Sequence, residues 1–287
     1  MKPIIFISLI IFATSFTGPL DYADQTTWPD DCTTGKYQSP INIPDASNIG
    51  DDTEYKNKRL IIEEINYTPI STVTVGYEHK YSLSTPTLDN GGIKVRINGT
   101  LYSYKVKNIH FHLNSEHTIN NKYYPMEMHI VHENENKDEK NQHLVLGYLF
   151  ENGSENSFLN EIGLGSGQEA KNVKISNIVK NETVYYYKGG LTTPPCSETV
   201  NWVVIKDIKK MSEAQFNKFK LFVGTVNENY LETGNNRTIY KLNGRKVYIS
   251  DPNDASSDDK STDDDDDNSS FLKNKLSWIL LLIMIFN

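Results

Sequence analysis

From Lys107 to Leu113 the chain reads K-N-I-H-F-H-L, in which polar and apolar residues alternate from Asn108 onward. In extended backbone, residues two apart share a face. Asn108, His110 and His112 therefore project together, while Ile109 and Phe111 offer an apolar surface for burial. The segment Pro125 to His132, P-M-E-M-H-I-V-H, repeats the device. It puts Glu127, His129 and Val131 on one side and Met128, Ile130 and His132 on the other. The stretch between the two segments is long enough to turn and lay them antiparallel, which brings a third imidazole to the first two. An H-x-H pair alone carries little weight. Three neutral imidazole nitrogens with a fourth position open are different, since that set leaves zinc a bound water and lowers the pKa of that water to about 7. Asn108 and Glu127 stand where partners that fix the tautomer of a ligating histidine are needed. Taken alone, Glu127 also reads as an ordinary exposed strand carboxylate.

Between Asp21 and Ser250 the apolar runs are short and broken by Gly, Pro, Asn and Asp, a pattern of strands and loops rather than long helices. Strands are expected over Lys94–Ile97, Tyr104–Leu113, Pro125–His132, His143–Leu149, Val184–Tyr187, Val200–Ile205 and Lys246–Ile249. Helical periodicity stands out once. Ser212 can cap a helix over Glu213–Phe222, with Phe216, Phe219 and Leu221 or Phe222 near one face. No internal repeat is visible. The pattern predicts a mainly β chain with minor α, built as one domain over 21–250.

Both ends change character. Residues 1–17 hold one early cation, Lys2, then an apolar run from Ile4 to Phe12 and the small residues Ala13, Thr14 and Ser15, which reads as a secretory signal peptide. Residues 251–270 turn to Asp, Ser and Asn, with unbroken acid from Asp263 to Asp267, a composition suited to a solvated, disordered tether. Residues 271–287 form a short spacer and an apolar block from Trp278 to Phe286. That order matches a signal for a glycolipid (GPI) anchor, with hydrophobic association of an uncleaved tail as the other reading. A transmembrane helix needs about 20 apolar residues, and this block falls well short. Export, attachment to the cell surface, or simple secretion are the expectations that follow. The formal net charge is −8, and no concentrated basic surface is evident, so nucleic acid is not an expected partner. Six glycosylation sequons, at Asn66, Asn98, Asn152, Asn181, Asn236 and Asn268, suit an exported glycoprotein. Cys32 and Cys196 are the two cysteines of the chain. An oxidising compartment favours a bridge between them over two separate buried thiols.

Four motifs, in order, resemble the alpha-class carbonic anhydrases: Q-S-P-I-N-I at Gln38–Ile43, H-F-H-L-N-S-E-H-T-I-N at His110–Asn120, E-M-H-I-V-H at Glu127–His132, and L-T-T-P-P-C-S-E-T-V-N-W at Leu191–Trp202. The similarity spans about Tyr22 to Ile249. It implies a large twisted, mostly antiparallel central sheet with a Zn2+ ion at the bottom of a conical cleft, and reversible hydration of carbon dioxide to bicarbonate and a proton by zinc-bound hydroxide. His110, His112 and His129 match the zinc ligands, Asn108 and Glu127 their outer partners, Thr192 the hydroxyl that contacts the nucleophile, and Glu116 the carboxylate that takes its hydrogen bond. Val131, Val145, Leu191, Thr193 and Trp202 match the substrate pocket. Cys32 and Cys196 match a bridge found in exported members.

Two departures stand out. The resemblance sets the usual proton-shuttle histidine near Gly92, in D-N-G-G-I-K-V at Asp89–Val95, where no imidazole stands. Slower, proton-transfer-limited turnover is then expected, or a relay through Tyr22, another cleft group or water. His79 and His143 are the imidazoles that could substitute as shuttle, though each reads first as a surface group, and His117 and His132 read as hydrogen-bonded packing groups. Leu113 and Asn114 run directly into Ser115 and Glu116, the compact form of bacterial, plant and protist members. A catalytically weak cell-surface binding protein of the same fold is the alternative function; loss of a ligand would favour it, and all three histidines, Glu116 and Thr192 are retained. The sequence sets no oligomeric state.

Overall fold

The computed structural model describes residues 20–44, 60–76, 81–84, 91–136, 138–164 and 170–253. The leader, the acidic tether from residue 254 onward and the terminal apolar block, with His79 and Asn268, lie outside the described residues. The strands are β1 (Asn42–Ile43), β2 (Leu60–Tyr67), β3 (Ile70–Gly76), β4 (Tyr81–Ser84), β5 (Gly91–Ile97), β6 (Thr100–Leu113), β7 (Thr118–Ile119), β8 (Met126–Asn134), β9 (His143–Asn152), β10 (Ala170–Val173), β11 (Val184–Gly189), β12 (Val200–Ile205), β13 (Lys209–Met211) and β14 (Tyr248–Ser250). Helices are few: α1 (Asp30–Thr34), α2 (Ser157–Glu161), α3 (Glu213–Val226) and α4 (Tyr230–Thr233).

Among the described residues one sheet holds twelve strands, in the order β10-β3-β4-β6-β8-β9-β12-β11-β14, with β5 also on β6, β2 on β5 and β13 on β9. Pairing is antiparallel except where β12 and β13 run parallel to β9. The mainly β expectation with minor α holds. The expected strands are found, most of them longer than read. β1, β2, β3, β4, β7, β10 and β13 had no counterpart in that reading; β10 pairs with β3 and β1 with β7, segments distant in sequence.

Each face of the sheet has its own apolar cluster. Ile109, Phe111, Met128, Ile130, Leu144 and Leu146 belong to the larger one. Phe219 and Phe222 of α3 join it, and the rings of Phe111 and Phe219 lie 6.0 Å apart. Ser212 caps α3 with a full capping box to Gln215. The helix runs past the expected Phe222 to Val226, with Phe219, Phe222 and Val223 buried and Leu221 exposed. Burying each phenylalanine contributes about 1.5–3 kcal/mol. The smaller cluster, on the opposite face, contains Val145, Leu149, Tyr187, Val200, Trp202 and Val204.

A bulge decides which face receives the histidines. Along β6, Tyr104 and Val106 lie in the larger cluster, and so do Ile109, Phe111 and Leu113. That change from even to odd positions needs one extra residue, and the β6–β8 register shifts between Val106 and Asn108. A one-residue slip sends every later side chain to the other face. Without it, His110 and His112 would point into the large core.

Candidate metal centre

The register sets the site. His110 lies opposite His129, His112 opposite Glu127, and Asn108 opposite Val131. All three imidazoles are buried, and one ligand nitrogen from each lies within 4.8 Å of the others. On the next strand Gly147 faces His129. A Cβ there would come within 3.1 Å of Glu127 Oε1, so the glycine keeps room for that carboxylate.

The outward nitrogen of each ring meets an oxygen. His110 Nδ1 is 2.8 Å from Asn108 Oδ1, His112 Nδ1 is 2.9 Å from the Asn235 carbonyl, and His129 Nε2 is 2.8 Å from Glu127 Oε1. These oxygens accept, so the single N–H of each neutral ring points outward. His110 Nε2, His112 Nε2 and His129 Nδ1 then turn lone pairs toward one another. His110 Nε2 and His129 Nδ1 stand 3.2 Å apart, with both protons committed elsewhere. Two buried lone pairs at that separation repel unless a cation lies between them. Two nitrogens bound at about 2.0 Å to a tetrahedral zinc sit about 3.3 Å apart. The donor set therefore fits zinc, with a fourth position not supplied by these three residues.

Glu127 is the hub behind the site. Its Oε2 accepts the backbone N–H groups of Glu116 and His117, each at 2.8 Å, and its Oε1 accepts from His117 Nδ1 at 2.7 Å. Burial opposes ionisation, but His117 and His129 hold its pKa well below the usual carboxylate range. Tyr187 closes the chain, its hydroxyl 2.7 Å from His117 Nε2 and 2.9 Å from Ser39 Oγ. His132 lies on the other face, between the Tyr67 hydroxyl and the Leu144 carbonyl, and burial pushes its pKa down to about 4. Glu127→Gln would present an amide donor to an N–H that already donates. Either the two imidazoles, His117 and His129, or the backbone N–H groups of Glu116 and His117 must then lose an acceptor, and the carboxylate charge behind His129 is gone in both orientations. Zinc affinity is expected to fall about 10–100-fold, as measured by competition with a chelator.

Glu116 is fully buried, and its Oε1 accepts the backbone N–H of Arg237 at 2.9 Å. Burial pushes its pKa up to about 7, and a hydrogen bond from the Thr192 side chain offsets part of the rise. Glu116 Oε2 has no hydrogen-bond partner among the described residues and lies 3.8 Å from His129 Nδ1. Val131 and Leu191 pack against the cluster that contains Val145 and Trp202. The indole edge meets His129 at 4.8 Å between ring centres. Thr193 is half-buried in the loop just beyond Thr192.

Cys32 and Cys196 form a disulfide, Cα–Cα 5.0 Å. Tyr22 is buried against Trp28 and Tyr230, and burial raises its phenol well above its ordinary pKa. His143 shares the site face of β9 with Val145, with its Nδ1 3.1 Å from Thr199 Oγ1. Gly92 lies on β5 opposite Lys105, and Lys105 is five residues from His110, about 17 Å along an extended strand. An imidazole at position 92 would thus be remote from the triad. Sequence reasoning missed Asn235, which acts through a backbone carbonyl and leaves no side-chain signature, and Gly147, whose role is an absence of atoms.

A mainly β chain whose sheet presents three inward imidazole lone pairs, each ring locked from behind by an oxygen, is of a class that can hold a divalent metal. Residues 23–251 match the family described as eukaryotic-type carbonic anhydrase. A carbonic anhydrase of Neisseria gonorrhoeae is 35% identical over 223 residues, covering 75% of this chain and 78% of that protein. Among solved structures, the alpha-carbonic anhydrase of Thermovibrio ammonificans with sulfanilamide is 31% identical, with a TM-score of 0.58, covering 76% of this chain and 88% of that one. A carbonic anhydrase of Chlamydomonas reinhardtii with acetazolamide is 27% identical, with a TM-score of 0.62, covering 80% and 97%. The chain belongs to the alpha-class, eukaryotic-type carbonic anhydrase family, whose members are lyases (carbonate dehydratases).

Proposed function

We propose that this chain hydrates carbon dioxide reversibly to bicarbonate and a proton, with zinc held by His110 Nε2, His112 Nε2 and His129 Nδ1. The observation that carries this reading is the trio of lone pairs, each fixed by an oxygen behind its ring. Zinc, when bound, lowers the pKa of a bound water to about 7 and so supplies a nucleophile at neutral pH. Thr192, donating to Glu116, can only accept at the site. A nucleophile with one O–H must aim that hydrogen at Thr192, which turns a lone pair toward the substrate carbon. Val131, Val145, Leu191 and Trp202 give a small apolar substrate a wall to rest on, with Thr193 beside them.

We infer that the proton leaves by a route other than position 92. Strand β4 places Ser82 opposite His110, and His79 precedes Ser82 by three residues in the chain. If His79 accepts the proton, His79→Ala lowers kcat about tenfold in dilute buffer and leaves kcat/KM unchanged, and added imidazole restores it. An unchanged kcat would assign the step to water. The hydratase itself is tested by stopped-flow hydration before and after chelation. Stripped protein should lose activity and zinc alone should restore it; equal rates in both would end the reading.

The disulfide, the sequons and the apolar terminal segments support a further proposal: an exported glycoprotein, tethered to the cell surface by a C-terminal lipid. Release from cells by a phosphatidylinositol-specific phospholipase is the expected result, and retention would count against the anchor.

A further inference from the structure

Arg237 is completely buried. Its guanidinium donates to the carbonyls of Ser39 at 2.8 Å, Leu191 at 3.2 Å and Cys32 at 2.6 Å, and to the Tyr240 hydroxyl at 3.1 Å. Its Cζ lies 4.4 Å from the Tyr240 ring centre and 5.6 Å from that of Trp28. None of these four acceptors is a carboxylate, and Nε has no hydrogen-bond partner among the described residues. A buried cation held this way is expensive, and an apolar side chain of similar volume would often serve stability as well.

What the cation does hold is specific. Leu191 immediately precedes Thr192, so the Nη1 contact fixes the backbone that carries the threonine hydroxyl. The backbone N–H of Arg237 binds Glu116 Oε1 at 2.9 Å. One residue thus grips both partners of the hydrogen bond that makes Thr192 an acceptor. The Cys32 and Ser39 contacts tie the same residue to the segment that the disulfide joins to the Thr192 loop.

We propose that Arg237 is a positioning residue for hydration: its side chain and its own N–H together hold Thr192 donating to Glu116. This rests on the roles given above to Thr192 and Glu116. Displacing a positioned group by about 1 Å can cost up to about 100-fold in rate.

The test is a double-mutant cycle on the zinc-loaded protein, using Arg237→Lys and Arg237→Met with Thr192→Ala. Zinc content and the far-ultraviolet circular dichroism should stay at wild-type values in each variant, because the histidine triad sits on β6 and β8. Arg237→Lys should lower kcat/KM about 10–100-fold alone, and less than about twofold in the Thr192→Ala background, as residues acting through one contact are non-additive. Losses that multiply would overturn the positioning role. Thr192→Ala at full activity would instead overturn the underlying reading of Thr192. If both Arg237 variants fail to fold, Tyr240→Phe, which removes one of the four acceptors, carries the same cycle. Wild-type turnover in Tyr240→Phe, or a loss that multiplies with that of Thr192→Ala, would sink the proposal.

Discussion

His112→Ala is expected to abolish measurable hydration while leaving the protein folded. The argument begins with the number of donors. A structural zinc site is worth about 10–16 kcal/mol shared among four ligands, so one nitrogen accounts for about 3 kcal/mol, or about 100-fold in affinity. Turnover should fall further, by about 1000-fold or more at saturating zinc, since a two-nitrogen site no longer fixes the direction of the open position. The fold has other supports. His112 is buried on the site face, while Phe111 and Leu113 beside it anchor β6 in the larger cluster. The Asn235 side chain also bonds the Leu113 backbone N–H at 2.6 Å, a contact that the substitution leaves in place. His132→Gln is the matching control, since that imidazole lies on the opposite face and the substitution should leave zinc binding intact. Stopped-flow hydration with metal analysis on the three proteins decides the matter. Equal rates in His112→Ala and wild type would reject a metal-based reaction.

Much of this site was legible before any fold was known, for a definite reason. Alternation in K-N-I-H-F-H-L and P-M-E-M-H-I-V-H is local information, and a period of two sorts side chains onto faces without reference to the rest of the chain. The Ser212 cap was legible on the same ground, because its partner Gln215 is three residues away. The bulge between Val106 and Asn108 was not. It appears only in the register against β8, and no residue type announces it. The Asn235 carbonyl that locks His112 lies 123 residues away, and a carbonyl is common to every residue. Gly92 misled for a related reason: resemblance aligned it near the site, whereas the pairing of β5 with β6 carries it toward Lys105.

Removing the disulfide should have the largest effect on stability of any change away from the metal ligands. The bridge joins residues 164 apart in sequence, and on the chain-entropy account a loop of that length stabilises by up to about 5 kcal/mol, with 2–5 kcal/mol the usual loss on removal. Both cysteines are buried. Cys196 sits in the left-handed region at φ 58°, a conformation that a residue with a Cβ adopts at a cost. Three contacts hold it there: the bridge, its own N–H on the Thr193 carbonyl at 3.0 Å, and its carbonyl accepting from Gln38 Nε2 at 3.0 Å. Without the bridge the loop keeps two of them. For a domain of this size each kcal/mol corresponds to about 2–4 °C in Tm, so Cys32→Ser/Cys196→Ser should melt about 4–20 °C lower. The urea slope should rise, because an uncrosslinked unfolded chain exposes more surface. Zinc content should survive, since His110, His112 and His129 lie on β6 and β8, while hydration should fall with the loosened Thr192. A double serine variant with an unchanged melting temperature would show that the bridge adds no stability, and one that lost zinc before it lost activity would contradict this division of labour between sheet and loop.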